Sequence, residues 1–274
     1  MSEVINLIEQ NPDSYMYKEA VEILSKKLKN DYSFILQVWN HEMPKETKYP
    51  KILISTSDEA HNVPDQVQDS SYVHIFKQYA PMETPTDRMS VKNIDRVSPL
   101  PLGCIEGFAN KNIPIAKRTR DWFWMGQFDP YTRVNFRQAV DRLQGERPDY
   151  NSHVLWYEGW NNGDAIDSYC DVMNDTKIAL VPIGSGSRES FRFFEAMSAG
   201  CIVINAGLPY TPMYSAAPAF PIDAGWADLT KTIDFILSRE EEVLEYHSNA
   251  ARLWYEHFCS PESLAEYMFK RIKE

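Results

Sequence analysis

Short apolar runs alternate along this chain with longer stretches in which apolar residues recur at helical spacing. YSFILQVW (32–39), KILIS (51–55) and YVHIF (72–76) read as buried strands, as do WFWMGQF (122–128), HVLWY (153–157), Ile178–Pro182 and Cys201–Asn205. Amphipathic helices are predicted over Tyr17–Lys29, Tyr131–Leu143, Asp164–Met173, Glu189–Ala199, Trp226–Leu237, Arg239–Phe258 and Pro261–Ile272, and AFPIDAGW supplies a short edge strand ending at Asp223. Continuous apolar strands that alternate with helices belong to parallel sheets covered on both faces. Proline-rich PMETPTD and RVSPLPLG interrupt the pattern between residues 81 and 103. The expected organisation is therefore an α/β fold with a first lobe over 1–115, a second over 116–258, and a terminal helix over 259–274 that returns to the first lobe.

The stretch Lys177–Ala206 carries the most chemistry. It predicts strand, loop, helix and strand, and the loop holds Gly184, Ser185, Gly186 and Ser187 at the carboxyl end of the first strand. In an open α/β sheet ligands sit at that end, and a helix amino terminus behind small residues offers unpaired N–H groups to a phosphate. No Lys follows Gly186, so this is neither a Walker A loop nor a dinucleotide fingerprint; a plain helix cap is the competing reading. On the helical wheel Phe191, Phe193, Phe194 and Met197 share one arc, expected on the sheet, and Arg192 and Glu195 fall together on the remaining edge. Arg192 suits a phosphate and Glu195 a pair of ribose hydroxyls; the alternative is an exposed ion pair, in the less favourable order for a helix.

Ser190, Arg192, Glu195 and Ala196, followed by Gly200, Cys201, Ile202 and Val203, resemble the donor-nucleotide motif of exostosin-like glycosyltransferases. The resemblance is close over Lys177–Ala206 and weaker over the carboxy-terminal half. It implies a GT-B fold, two Rossmann-like lobes with parallel sheets and a cleft between them. It further implies metal-independent, inverting transfer of a sugar from a nucleotide-sugar, UDP being the usual carrier, to a glycan hydroxyl. Retaining GT-B enzymes often carry a second Glu eight positions before the first, and here that position is Ser187. The same resemblance covers a strand, a Gly and then an Arg on the following helix, here Gly126, Arg133 and Arg137, expected to clamp the diphosphate. A solvated helix face is the alternative for the two arginines. Trp160, in the loop after HVLWY, is a candidate for stacking on the base, or else a hydrophobic plug.

The acceptor side needs a general base, expected at a strand end of the first lobe. Asp58, Glu59 and His61 follow the KILIS strand, with Asp58 the first choice; a solvated helix-capping turn is the alternative. His74 and Lys77 form a lesser set, and Gln78 and Tyr79 could touch a sugar.

Composition narrows this picture. A net charge of −11 in 274 residues argues against a nucleic-acid surface, which needs clustered Lys and Arg. Cys104, Cys170, Cys201 and Cys259 have no metal-ligand or disulfide spacing, so reduced thiols are expected. No Asp-x-Asp sequence is present to hold a divalent cation, and no cofactor is expected beyond the nucleotide-sugar. There is no basic leader with an apolar core and no apolar run of membrane-spanning length, so a soluble, cytoplasmic protein is expected. Two further readings stay open: a catalytically silent nucleotide-sugar-binding scaffold of the same fold, and a nucleotide-sugar epimerase.

Overall fold

The computed structural model describes residues 2–7, 15–28, 31–38, 42–44, 46–57, 61–79, 94–158, 166–184, 187–209 and 211–274. In chain order the strands are β1 (Glu3–Asn6), β2 (Ser33–Val38), β3 (Lys51–Thr56), β4 (Tyr72–Lys77), β5 (Val97–Pro99), β6 (Arg120–Gln127), β7 (Ser152–Tyr157), β8 (Thr176–Val181), β9 (Ile202–Ala206) and β10 (Phe220–Ile222). The helices are α1 (Tyr15–Lys27), α2 (Val134–Glu146), α3 (Ile166–Asn174), α4 (Phe191–Ala199), α5 (Pro212–Ser215), α6 (Leu229–Leu237), α7 (Glu241–Cys259) and α8 (Pro261–Lys273). Two compact units result. The first comprises Met1–Glu106, Pro209–Pro212 and Glu256–Glu274, and the second comprises Gly107–Leu208 and Met213–Tyr255.

The sheet of the first unit runs β1-β2-β3-β4-β5, parallel throughout. Register places Ile35, Leu53 and Ile75 on one face, where Ile5, Leu7, Met43, Val67 and Val97 pack around them. Phe34, Ile52, Ile54 and Phe76 occupy the other face, and Tyr267 of α8 meets the Phe76 ring edge-on at 6.2 Å. On that face His74 Nε2 lies 2.8 Å from Ser98 Oγ, to which Arg271 also donates at 3.0 Å. Burial, then the nearby Arg271 and Arg96 cations, pull the His74 pKa down to about 4.

The second sheet has the order β10-β9-β8-β6-β7, also parallel. Trp122, Trp124, Ile178, Leu180, Ile202 and Ile204 form a core with Phe136, Val140 and Leu143 of α2 and Leu229, Ile233 and Ile236 of α6. The opposite face is covered by α3 and α4; Phe123, for example, meets Tyr169 of α3 at 6.4 Å. Between β6 and β8 the chain reverses its direction of winding, because β7 is added on one side of β6 and β8 to β10 on the other. This is the topological switch point, where the loops leaving the strands part and open a crevice at the carboxyl ends.

Several boundaries differ from expectation, for local reasons. RVSPLPLG does not simply break the pattern: Val97–Pro99 pairs with β4 as an edge strand, the place where a proline without N–H is tolerated. The helix expected from Tyr131 starts at Val134, because the Asp129 carboxylate takes the Tyr131 N–H and the Thr132 hydroxyl, each at 2.8 Å, and holds a turn there. Likewise α4 starts at Phe191, two residues late, because the preceding residues form a closed turn in which Ser187 Oγ accepts from the Glu189 N–H at 3.0 Å.

Candidate functional site

Everything of chemical interest in the second unit gathers at the switch point. α4 begins there with Ser190 at its N-cap; the Ser190 side chain makes no capping hydrogen bond, and of the first-turn N–H groups that of Phe193 donates to the Ser190 carbonyl at 3.0 Å, so those of Phe191 and Arg192 have no side-chain cap from it. Gly184 lies beneath the preceding turn, a Cβ on it falling only 2.6 Å from the Glu189 carbonyl oxygen and 2.8 Å from that of Ser187. A side chain at 184 would push this turn open.

Arg192, in the first turn of α4, reaches across the end of β6. Its guanidinium lies 4.2 Å from the centroid of the Trp124 ring and donates through Nη2 to the Met125 carbonyl. Its Nε is buried without an acceptor. Gly126 makes this seat possible: a Cβ there would stand 2.7 Å from Arg192 Nη2 and 2.8 Å from Trp124 Cζ2. Arg192 is thus a cation parked on an aromatic plate at the strand end, with donor capacity left over.

Glu195 is turned inward. The wheel places it beside Arg192 on one edge, but it is only 3 % exposed and accepts from the Tyr169 hydroxyl at 2.7 Å. Burial and the adjoining Glu195 carboxylate push the Tyr169 pKa well up, so the phenol stays protonated and keeps donating. The sequence pattern already brings Tyr169, on its helix, under the stretch that precedes α4, but no spacing rule pairs it with Glu195.

Arg133 is buried at the start of α2. It donates to the Ile183 carbonyl through Nε and Nη2, both at 3.2 Å, and to the Gln127 carbonyl through Nη1 at 2.8 Å, tying together the ends of β6 and β8. Arg137 lies over the rings of Phe128 and Trp156, 4.8 and 5.3 Å from their centroids. Both therefore border the switch point, with Arg133 turned toward backbone carbonyls. Ser185, Gly186 and Trp160 lie outside the described residues.

Glu189 is a further residue that sequence reasoning passes over. It is buried in the turn before α4 and accepts from the Tyr214 hydroxyl at 2.5 Å, while the Tyr214 ring packs against Phe193 and Phe194.

In the first unit Asp58 and Glu59 lie outside the described residues. His61 is described: it has a left-handed backbone, φ 55°, and meets the Tyr79 ring edge-on at 5.9 Å. Ser57 and Tyr79 are left-handed as well, with φ of 66° and 47°. These uncommon conformations are held by buried neighbours. Gln78 Oε1 accepts from the Ser57 N–H at 3.1 Å, and its Nε2 donates to Tyr17 Oη at 3.0 Å and the Leu102 carbonyl at 3.2 Å. Lys77 Nζ donates to the carbonyls of Gln78 and Tyr79, at 3.1 and 2.9 Å. Lys77, Gln78 and His74 thus support the framework.

No protein-family model matches this chain, and no curated protein sequence matches it. Solved structures do. TarM, named as a protein of S. aureus, superposes with a TM-score of 0.54 at 11 % identity over 93 % of this chain and 58 % of its own. A UDP-forming α,α-trehalose-phosphate synthase from Burkholderia xenovorans gives 0.52 at 10 % identity, over 95 % and 78 %. An α-glucosyltransferase solved with UDP and a 13-mer DNA gives 0.51 at 8 % identity, over the full length of both chains. At these identities the likeness is one of fold. Two parallel five-stranded sheets in α/β lobes match the GT-B arrangement of glycosyltransferase structures. No helix among the described residues is long and apolar enough to cross a membrane.

Proposed function

We propose that the chain transfers a sugar from a nucleoside-diphosphate sugar to a hydroxyl acceptor, with the donor nucleotide held at the switch point of the second unit. The observation that carries this is the constellation around α4: an uncapped amino terminus, Arg192 laid on Trp124 with unspent donors, and the buried Glu195 carboxylate one turn further on. A diphosphate meets the helix N–H groups and Arg192, and a ribose meets Glu195. As the bond from the anomeric carbon to the phosphate oxygen breaks, Arg192 and the helix terminus stabilise the charge that collects on the leaving diphosphate, with no metal ion required. Uridine is the proposed base, since two structural neighbours carry UDP in their descriptions.

The proton of the acceptor hydroxyl goes to a base after β3, Asp58 first, then Glu59 or His61. Inversion is the proposed stereochemistry: the position eight residues before Glu195 is Ser187, whose hydroxyl is engaged within its own turn. The Ser-x-Arg-x-x-Glu-Ala pattern favours an exostosin-like transferase within this class and a glycan as acceptor.

A thermal-shift screen with UDP, GDP, ADP and CDP, with and without chelator, tests the donor site. One nucleotide at about a hundred times its Kd should add roughly 2.7 kcal/mol, chelator notwithstanding, and Glu195→Ala should abolish the gain. Absence of any shift refutes the proposal. Given binding, NMR of the product reports the anomeric configuration; retention, which would agree with the α-linked products named for two of the neighbours, overturns the inverting assignment. Binding without turnover on any acceptor, or without hydrolysis, identifies the silent scaffold instead.

A further inference from the structure

We propose that Arg188 is a second anion-binding residue of this donor site, one that holds the terminal phosphate of a nucleoside diphosphate against the amino terminus of α4. The inference rests on the donor site proposed above and adds to it a residue that the motif does not contain.

Arg188 lies in the closed turn between β8 and α4, partly buried, and among the described residues no carboxylate or hydrogen-bond acceptor partners its guanidinium. Other buried or partly buried arginines of this unit are engaged, Arg137 by the rings of Phe128 and Trp156. Arg118 donates to the carbonyls of Ile113, Thr176 and Ala199, Arg120 pairs with Asp175, and Arg147 with Asp149 and Asp234. A guanidinium that has lost part of its hydration without gaining an acceptor is unfavourable unless something else supplies the negative charge.

Its position suits an anion. Gly207, with φ 72° in the loop after β9, admits the guanidinium: a Cβ there would lie 3.2 Å from Arg188 Nη1. Arg188 is therefore held toward β9, one neighbour of β8, while Arg192 is held toward β6, the other neighbour. The two cations flank the uncapped Ser190 terminus from opposite sides, each two residues from it. A terminal phosphate brings a charge of about −1.5 to −2. The inner phosphate adds about −1, and against the diphosphate's total the helix terminus offers about +0.5 and Arg192 about +1, so a second cation brings the site close to balance. The order along the chain agrees: Glu195 stands one turn into α4, Arg192 in its first turn and Arg188 before it, which matches ribose, inner phosphate and terminal phosphate.

The test is calorimetric titration of wild type, Arg188→Gln, Arg188→Lys and Glu195→Gln with the best-binding diphosphate among UDP, GDP, ADP and CDP, and with its monophosphate. Arg188→Gln should weaken the diphosphate about ten-fold or more and leave the monophosphate within about two-fold, with Arg188→Lys intermediate. Unchanged diphosphate affinity, or equal losses for both nucleotides, overturns the assignment. Failure of the donor site itself has a different signature: no nucleotide binds wild type, or Glu195→Gln binds both as wild type does. Either result removes the basis for Arg188 as well.

Discussion

The two sheets have the same number of strands and the same parallel pairing, yet their carboxyl ends are built differently. In the second unit the strand order reverses between β6 and β8, and the residues at that point are left with chemical capacity: an uncapped helix, a stacked guanidinium with a buried unbonded Nε, and Arg188. In the first unit the order of the described strands is sequential, and the strand ends are closed by their own side chains. Gln78 and Lys77, both fully buried, bond to the turns that follow β3 and β4. The difference teaches that sheet topology decides where a ligand is received and side-chain satisfaction decides which end is mere support. Under the proposed function, a catalytic contribution from the first unit would come from Asp58, Glu59 or His61 and not from this support.

The contrast can be broken by exchanging the consequences of the two ends. Arg192→Ala should cost the second unit about a hundred-fold in nucleotide affinity, roughly 3 kcal/mol, with the melting temperature of the ligand-free protein nearly unchanged. Calorimetric titration reads the first quantity and a thermal melt the second. Gln78→Leu should do the reverse, lowering stability by about 2 kcal/mol through the orphaned Ser57 N–H and its neighbours while nucleotide affinity holds. If Gln78→Leu abolishes binding instead, the division between receiving end and supporting end is wrong.

A third expectation concerns pH. His74 has a folded pKa of about 4, below the usual value for a histidine, so it is neutral in the native state and binds protons more readily when unfolded. The stability this contributes is present above about pH 6.5 and is lost as pH falls toward 4. Between about pH 7 and 5 the loss should be on the order of 2 kcal/mol in urea unfolding, and His74→Gln should flatten that part of the profile. An unaltered slope would show that His74 is not the group responsible. The smallest effect is expected from Gly126→Ala, whose new methyl displaces the guanidinium from Trp124; affinity should fall roughly ten-fold, and much less in an Arg192→Ala background, where nothing is left to displace.

Much of this was legible in the residues themselves. Of the ten strands among the described residues, seven were marked by apolar runs to within about two residues and β10 by the short AFPIDAGW edge, because a strand buried on both faces leaves no polar alternative for its side chains. β1 was missed because Glu3–Asn6 is an edge strand, too short and too mixed to show a pattern, and β5 because its prolines read as a break. Of the proposed donor constellation, Ser190, Arg192 and Glu195 stand close together in sequence and follow a motif, so they could be put forward from the sequence. Tyr169 could be brought near them but not paired with Glu195, and Trp124 and Arg188 could not be named: one reaches the site from another element, and the other stands out only because the fold gives it no partner.

The sequence by itself determined the class of the fold and the charges carried at the start of α4, since periodicity, helix termini and residue type are local properties. The tertiary structure alone decided which way each charge is turned. Arg192 is laid on Trp124 and Glu195 is bonded to Tyr169, which also lies close to Arg192; Arg133 is turned to two backbone carbonyls, and Arg188 is left to an incoming anion. The physical reason is that a long polar side chain settles where its hydrogen bonds and charge are best met, and the groups that meet them come from strands and helices that only folding brings near.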